Sequence, residues 1–100
     1  MKIREIIGKI FGMQNDNKTP FKEVTQELVD LYTHKSHDYG DTCEQMSAKY
    51  GEKYWTMMIQ QKVLRIETLI NTDSPNYESI QDSYRDIANY AILALVNHKS

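Results

Sequence analysis

Residues 77–97 read Tyr77-Glu78-Ser79-Ile80-Gln81-Asp82-Ser83-Tyr84-Arg85-Asp86-Ile87-Ala88-Asn89-Tyr90-Ala91-Ile92-Leu93-Ala94-Leu95-Val96-Asn97. Ile80, Tyr84, Ile87, Ala91 and Leu95 recur at three- and four-residue intervals, which puts them on one face of a helix turning about 100° per residue. Asp82, Asp86 and Asn89 fall together on the opposite side. Leu93 and Val96 continue that second side as an apolar surface, and a helix apolar on both sides is expected to lie between neighbours. The stretch therefore predicts a helix from near Tyr77 to about Asn97. Its core face is Ile80 to Leu95, and a polar trio sits at the mouth of a second packing surface.

Working backward, Asn71-Thr72-Asp73-Ser74-Pro75-Asn76 is a cluster of turn-forming residues. Before it, Trp55, Met58, Ile59, Val63, Ile66 and Ile70 mark the apolar side of a helix over residues 52–70. Gly51 closes a shorter helix carrying Cys43, Met46, Ser47 and Tyr50 on one side, for which Asp41 with Glu44 offers an N-terminal capping box. His37-Asp38-Tyr39-Gly40 reads as a turn, because glycine permits backbone conformations closed to other residues. Thr19-Pro20 signals a helix start, a capping hydroxyl followed by a proline whose missing N–H costs nothing at the first helical position. Phe21, Val24, Leu28 and Leu31 then form an expected buried stripe to about residue 36. Ile3, Ile6, Ile7 and Ile10 give a short amphipathic helix, followed by a polar linker over residues 13–18. The expected fold is an all-α compact bundle of four to five helices. Residues 1–18 form an N-terminal helix and linker, and 19–100 the main domain.

Composition narrows the function. Twelve basic against fourteen acidic residues leave a formal charge of −2, not the basic excess of a protein that binds duplex phosphates. Cys43 is the single cysteine, so no intrachain disulfide forms and a cysteine-rich zinc site is disfavoured. No run approaches the roughly 18 apolar residues of a membrane span. The first residues lack the apolar stretch and cleavage site of a signal peptide, and a cytoplasmic protein is the expectation. Short helices bury a modest core alone, so a homo-oligomer is expected. The N-terminal helix fits docking in cis or on a second subunit; with Lys2, Arg4 and Lys9 it also fits an interfacial membrane helix.

Few residues offer chemistry. Asp82 and Asp86, one turn apart, repel each other on a free helix. They are accommodated either as a solvated acidic face partnered by Arg85 or by sharing a hard cation such as Mg²⁺, which takes one or two carboxylates plus substrate phosphates. Lys62 lies in the apolar sector of its helix with Arg65 three residues on. The pair fits a snorkelling lysine beside an ion-paired arginine, or two cations holding one phosphate. His34, His37 and Asp38 fit a metal site less economically than a turn that directs one histidine and one aspartate into a pocket. Cys43 reads as a small buried residue. There is no glycine-rich phosphate loop and no nucleophile triad.

Together these segments carry a resemblance. Leu31-Tyr32-Thr33-His34-Lys35-Ser36-His37-Asp38-Tyr39-Gly40, Tyr50-Gly51, Lys62-x-x-Arg65 and Glu78-Ser79-Ile80-x-Asp82-x-x-x-Asp86-Ile87-Ala88-Asn89-Tyr90-Ala91-Ile92 resemble, in order, the nucleotide-modification-associated domain found largely in phages and prophages. The helical layout is also similar to the MazG-type all-α nucleoside-triphosphate pyrophosphatases, which hold Mg²⁺ with carboxylates on facing helices. The resemblance implies a phage nucleotide-binding protein. In it Asp82 and Asp86 hold a metal, Lys62 and Arg65 hold phosphate, and His37, Asp38, Tyr39, Asn89 and Tyr90 shape the ligand pocket. Gln61 stands where family members often have an acidic residue, and Glu23, Glu27 and Asp30 lack the Glu-x-x-Glu spacing. These departures weigh against hydrolysis more than against binding. The implied activities are Mg²⁺-dependent hydrolysis of a (d)NTP or modified nucleotide, or sequestration of a cyclic nucleotide signal of host defence by a non-catalytic oligomer. A helical adaptor for a protein partner is the third alternative.

Overall fold

Three helices account for almost all of residues 20–99: α1 spans Pro20–Tyr50, α2 Glu52–Ile70 and α3 Tyr77–Lys99. The computed structural model describes Ile3 and residues 19–99, the side chains of residues 35–41 excepted. No strand occurs among the described residues, and the fold is all-α. No helix among them is long and apolar enough to cross a membrane. Apart from Ile3, the expected N-terminal helix and linker lie outside the described residues. The chain divides into two units, Met1–Thr33 and His34–Ser100.

In the first unit the start of α1 follows its sequence signal. The Thr19 hydroxyl accepts a hydrogen bond from the Lys22 N–H at 3.3 Å, and the Thr19 carbonyl accepts one from the Glu23 N–H at 3.0 Å. Thr19 thereby satisfies amide donors that a helix N-terminus leaves over. Of the expected buried stripe, Leu28 and Leu31 are half-buried, whereas Phe21 and Val24 are exposed. The described part of this unit is a single helix, which cannot cover its own apolar side.

The expected turn at His37-Asp38-Tyr39-Gly40 is absent. The backbone stays helical from Pro20 through Gly40 to Tyr50, and Asp41 starts no new helix. Glycine permits a turn without imposing one, and its cost inside a helix, about 1 kcal/mol relative to alanine, is one that a long hydrogen-bonded segment absorbs. The real break is Gly51, with φ 62° and ψ −139°, a conformation closed to most residues with a Cβ. Its N–H donates to the Ser47 carbonyl at 2.8 Å, and its carbonyl accepts from the Tyr54 N–H at 3.1 Å. A single residue thus ends α1 and begins α2.

The turn between α2 and α3 is built as the sequence predicts. The Asn71 side-chain amide donates to the Glu67 carbonyl at 2.7 Å and the Thr72 hydroxyl to the Leu69 carbonyl at 2.9 Å, covering acceptors at the end of α2. The Asn76 side-chain oxygen accepts the Ser79 N–H at 3.0 Å and caps α3. The two helices return antiparallel, as their cross-links show. Lys62 meets Asp86 near the middle and Glu52 meets His98 toward the open end.

The packed face of α3 is not the expected one. Ile80 is buried, but Tyr84 is 59% and Leu95 64% exposed. Ser83 and Asn89 are buried, Asp86 is half-buried, and Tyr90, Leu93 and Ala94 pack on the core. The helix is therefore turned by roughly a quarter of a revolution from the expected setting, toward the side of Asp86 and Asn89. Small Ser83 and Ala94 let the helix backbones approach, whereas Tyr84 on the same seam would hold them apart. The core of the second unit is a cluster of Cys43, Tyr54 and Trp55, against which Met58, Tyr90, Leu93 and Ala94 pack. Tyr54 and Trp55 meet edge to face, centroids 4.9 Å apart, and the Tyr54 hydroxyl donates to Cys43 Sγ at 3.2 Å.

Candidate functional site

The site is a polar strip along the α2–α3 hairpin. Lys62 sits in the apolar sector of α2 and its Nζ lies 3.1 Å from Asp86 Oδ2, with the two side chains 26% and 23% exposed. A pair that is mostly out of water is bound more firmly than a surface pair, because the surrounding dielectric is lower. The antiparallel register does the rest. Three residues forward in α2 correspond to three residues back in α3, so exposed Arg65 lies level with Ser83 and close to the level of Asp82. Asp82 itself is held by Arg85, Nη1 to Oδ1 at 3.0 Å, on the outer side of the same helix.

One turn beyond Asp86 is Asn89, which is 2% exposed and whose amide nitrogen has no hydrogen-bond partner. The indole nitrogen of Trp55, on the facing helix, is likewise buried without an acceptor. The great majority of buried polar side-chain atoms are paired, so two orphan donors on one helix pair call for a physical reason. Along the strip stand Lys62, Arg65, Asp82, Asp86 and the unused donor of Asn89, whereas Trp55 belongs to the core cluster. That set suits an anionic ligand rich in oxygen or nitrogen acceptors.

The predicted residues divide into three groups. The structure brings together Lys62 and Asp86, with Asn89 about one turn along α3 and Asp82 and Arg65 at neighbouring levels. Tyr90 is packed on the Cys43–Tyr54–Trp55 cluster. His37, Asp38 and Tyr39 lie on the helical backbone of α1, where a turn was expected, and their side chains are outside the described residues. Cys43 is buried, as its size and type suggest. Trp55 was read from the sequence as core alone; its unpaired indole nitrogen has no sequence signal, since pairing depends on what faces the ring.

Asp82 and Asp86 stand one turn apart, a spacing that suits a shared divalent cation, but each already faces a cationic side chain. No three His, Cys, Asp or Glu residues converge among the described residues in a way that could hold a metal ion. A cation at this pair would need Lys62 and Arg85 to turn away, toward a ligand's phosphates.

Neither a curated protein nor a solved structure matches the chain. A family model does match, over residues 35–97, which is more than half of the chain and nearly all of the unit that contains the hairpin. The family is described as nucleotide modification associated domain 1, and the chain belongs to it.

Proposed function

We propose that this protein binds a phosphorylated nucleotide on the α2–α3 hairpin. Lys62 and Arg65 contact phosphate, and the Asn89 amide supplies a donor to a remaining acceptor. The observation that carries the reading is the pairing of Lys62 with Asp86 inside the family-matched segment, beside a buried and unpaired amide. The carboxylate holds the lysine in place before ligand arrives, and the ammonium, with three donors, can keep that partner while it takes up a phosphate oxygen. The reading favours holding the ligand over turning it over, because both carboxylates are engaged by cations. A second reading, Mg²⁺-dependent hydrolysis, rests on the spacing of Asp82 and Asp86. There Mg²⁺ would polarise a phosphoryl group toward attack by water.

One experiment tests both. The protein is titrated with a panel of nucleoside mono-, di- and triphosphates and cyclic di- and trinucleotides, with and without Mg²⁺. The emission of Trp55, the single tryptophan, reports binding, and the ligand is recovered after denaturation. Recovery of unaltered ligand, with binding independent of Mg²⁺, is expected. Lys62→Gln removes a charge-assisted hydrogen bond of about 1.5–3 kcal/mol, so affinity should fall by roughly 10- to 100-fold. Altered ligand that appears only with Mg²⁺ moves the conclusion to the enzyme. Absence of binding across the panel overturns both readings.

A further inference from the structure

Among the residues of the strip, Asp82 is the one that phosphate binding does not use. Its side chain is 66% exposed, and Arg85 engages Oδ1 at 3.0 Å, which leaves Oδ2 open to a donor. A carboxylate only accepts hydrogen bonds, and so do the oxygens of an ionised phosphate. A phosphate held by Lys62 and Arg65 therefore gains nothing from this group. The part of a ligand that comes to rest beside Asp82 has to supply a donor or a cation.

Position narrows which donor. Asp82 stands one turn, about 6 Å along α3, before Asp86, and so one turn from the Lys62–Asp86 pair. In the antiparallel register it lies just past the level of Arg65, so the order along the hairpin is Lys62, Arg65, Asp82. A ligand whose phosphate bridges the two cations extends its next few atoms over the carboxylate. In a nucleotide those atoms are the sugar, and the sugar hydroxyls are the donors nearest to phosphorus. The amino groups of a base lie farther off, beyond the glycosidic bond.

We infer that Asp82 accepts a hydrogen bond from a sugar hydroxyl, and that the strip takes nucleotides whose 2′- or 3′-hydroxyl is free. The assignment rests on nucleotide binding at the strip and adds the direction in which the ligand lies. Arg85 acts as a positioning residue. By holding Oδ1 it sets the carboxylate before ligand arrives, and its charge offsets the repulsion between Asp82 and the nearby phosphate. The carboxylate still disfavours a phosphate placed directly on it, so the same group that attracts the hydroxyl also rejects the reversed ligand.

The test is a titration of the full chain in EDTA, read by Trp55 emission. The ligands are the 5′-monophosphates of adenosine, guanosine, cytidine and uridine, each beside its 2′-deoxy and 2′,3′-dideoxy forms. The best-bound ribonucleotide should exceed its dideoxy form by about tenfold, as a hydrogen bond to a charged acceptor provides. Asp82→Ala should bring that ratio to about one, whereas Lys62→Gln should lower both affinities and keep the ratio. A merely structural role for Asp82 would leave the ratio where it was. Circular dichroism checks the helix content of Asp82→Ala. Should that variant fail to fold, Asp82→Asn decides, since it keeps an acceptor without the charge and should give an intermediate ratio. Equal affinities for ribo- and dideoxynucleotides, or a ratio that neither substitution lowers, overturn the inference while nucleotide binding stands. A preference that appears only when Mg²⁺ replaces EDTA overturns it as well, because a metal then satisfies the carboxylate. Absence of binding throughout overturns the nucleotide site itself, and the inference with it.

Discussion

Asn89 is where the energetics of single residues and the proposed function meet. Its side chain is 2% exposed, and the amide nitrogen finds no acceptor. An unpaired buried donor costs about 1–3 kcal/mol. Leucine is close to asparagine in size and has no polar atom, so Asn89→Leu removes the penalty and adds apolar contact in the hairpin. The thermal midpoint should rise, by about 4–8 °C per kcal/mol recovered in a domain of this size. Nucleotide affinity should fall at least as far as in Lys62→Gln. Thermal melts and ligand titrations of the one variant read both effects. A lowered midpoint would mean that the amide is already satisfied in solution, for example by an ordered water.

At the scale of elements, two glycines with the same sequence appearance behave differently. Gly51 holds φ 62° and ψ −139° where α1 gives way to α2, and an added Cβ would meet nothing within 4 Å. Gly51→Ala therefore costs backbone strain alone, about 1–3 kcal/mol. Denaturant unfolding should show that loss with an unchanged slope, because the folded contacts are untouched; a loss under about 0.5 kcal/mol would show that the joint relaxes. Gly40, by contrast, sits inside α1, where glycine is tolerated. The contrast explains which parts of the fold the sequence carries. The start of α1 at Thr19-Pro20, the bounds of α2 and the turn at residues 71–76 are written in local chemistry: a capping hydroxyl, a proline, turn residues with donors for loose carbonyls. The turn misplaced at Gly40 and the misjudged face of α3 have another origin. Whether a glycine turns, and which of two apolar sides is covered, depends on the neighbour across the interface. Tyr84, Ala91 and Leu95 have the periodicity of a core face, and periodicity does not say whether the covering helix comes from the same chain. The residues of the candidate site divide in the same way. Asp82, Asp86 and Asn89 were identifiable as a group from spacing, whereas the pairing of Lys62 with Asp86 follows from the register of two helices.

At the scale of the whole molecule, one small cluster joins three segments of the second unit, and that cluster contains a group that titrates. Cys43 from α1 and Tyr54 and Trp55 from α2 are buried together with Tyr90, Leu93 and Ala94 of α3 against them, so the three segments lose their shared contacts at once. Burial, reinforced by the hydrogen bond to Cys43 and by the nearby Cys43 and Tyr90 groups, pushes the Tyr54 hydroxyl well above its ordinary pKa. Below about pH 10, the ordinary tyrosine value, the folded and unfolded chains both keep this proton and its contribution is fully present. Above that pH the unfolded chain releases the proton while the folded chain retains it. The unfolded state then binds fewer protons, and stability falls as pH rises, until the folded hydroxyl itself ionises. Thermal midpoints measured from pH 8 to 11 should therefore decline with a slope that Tyr54→Phe reduces. Equal slopes in the wild type and Tyr54→Phe would mean that the Tyr54 hydroxyl reaches water and that the cluster opens before the unit unfolds.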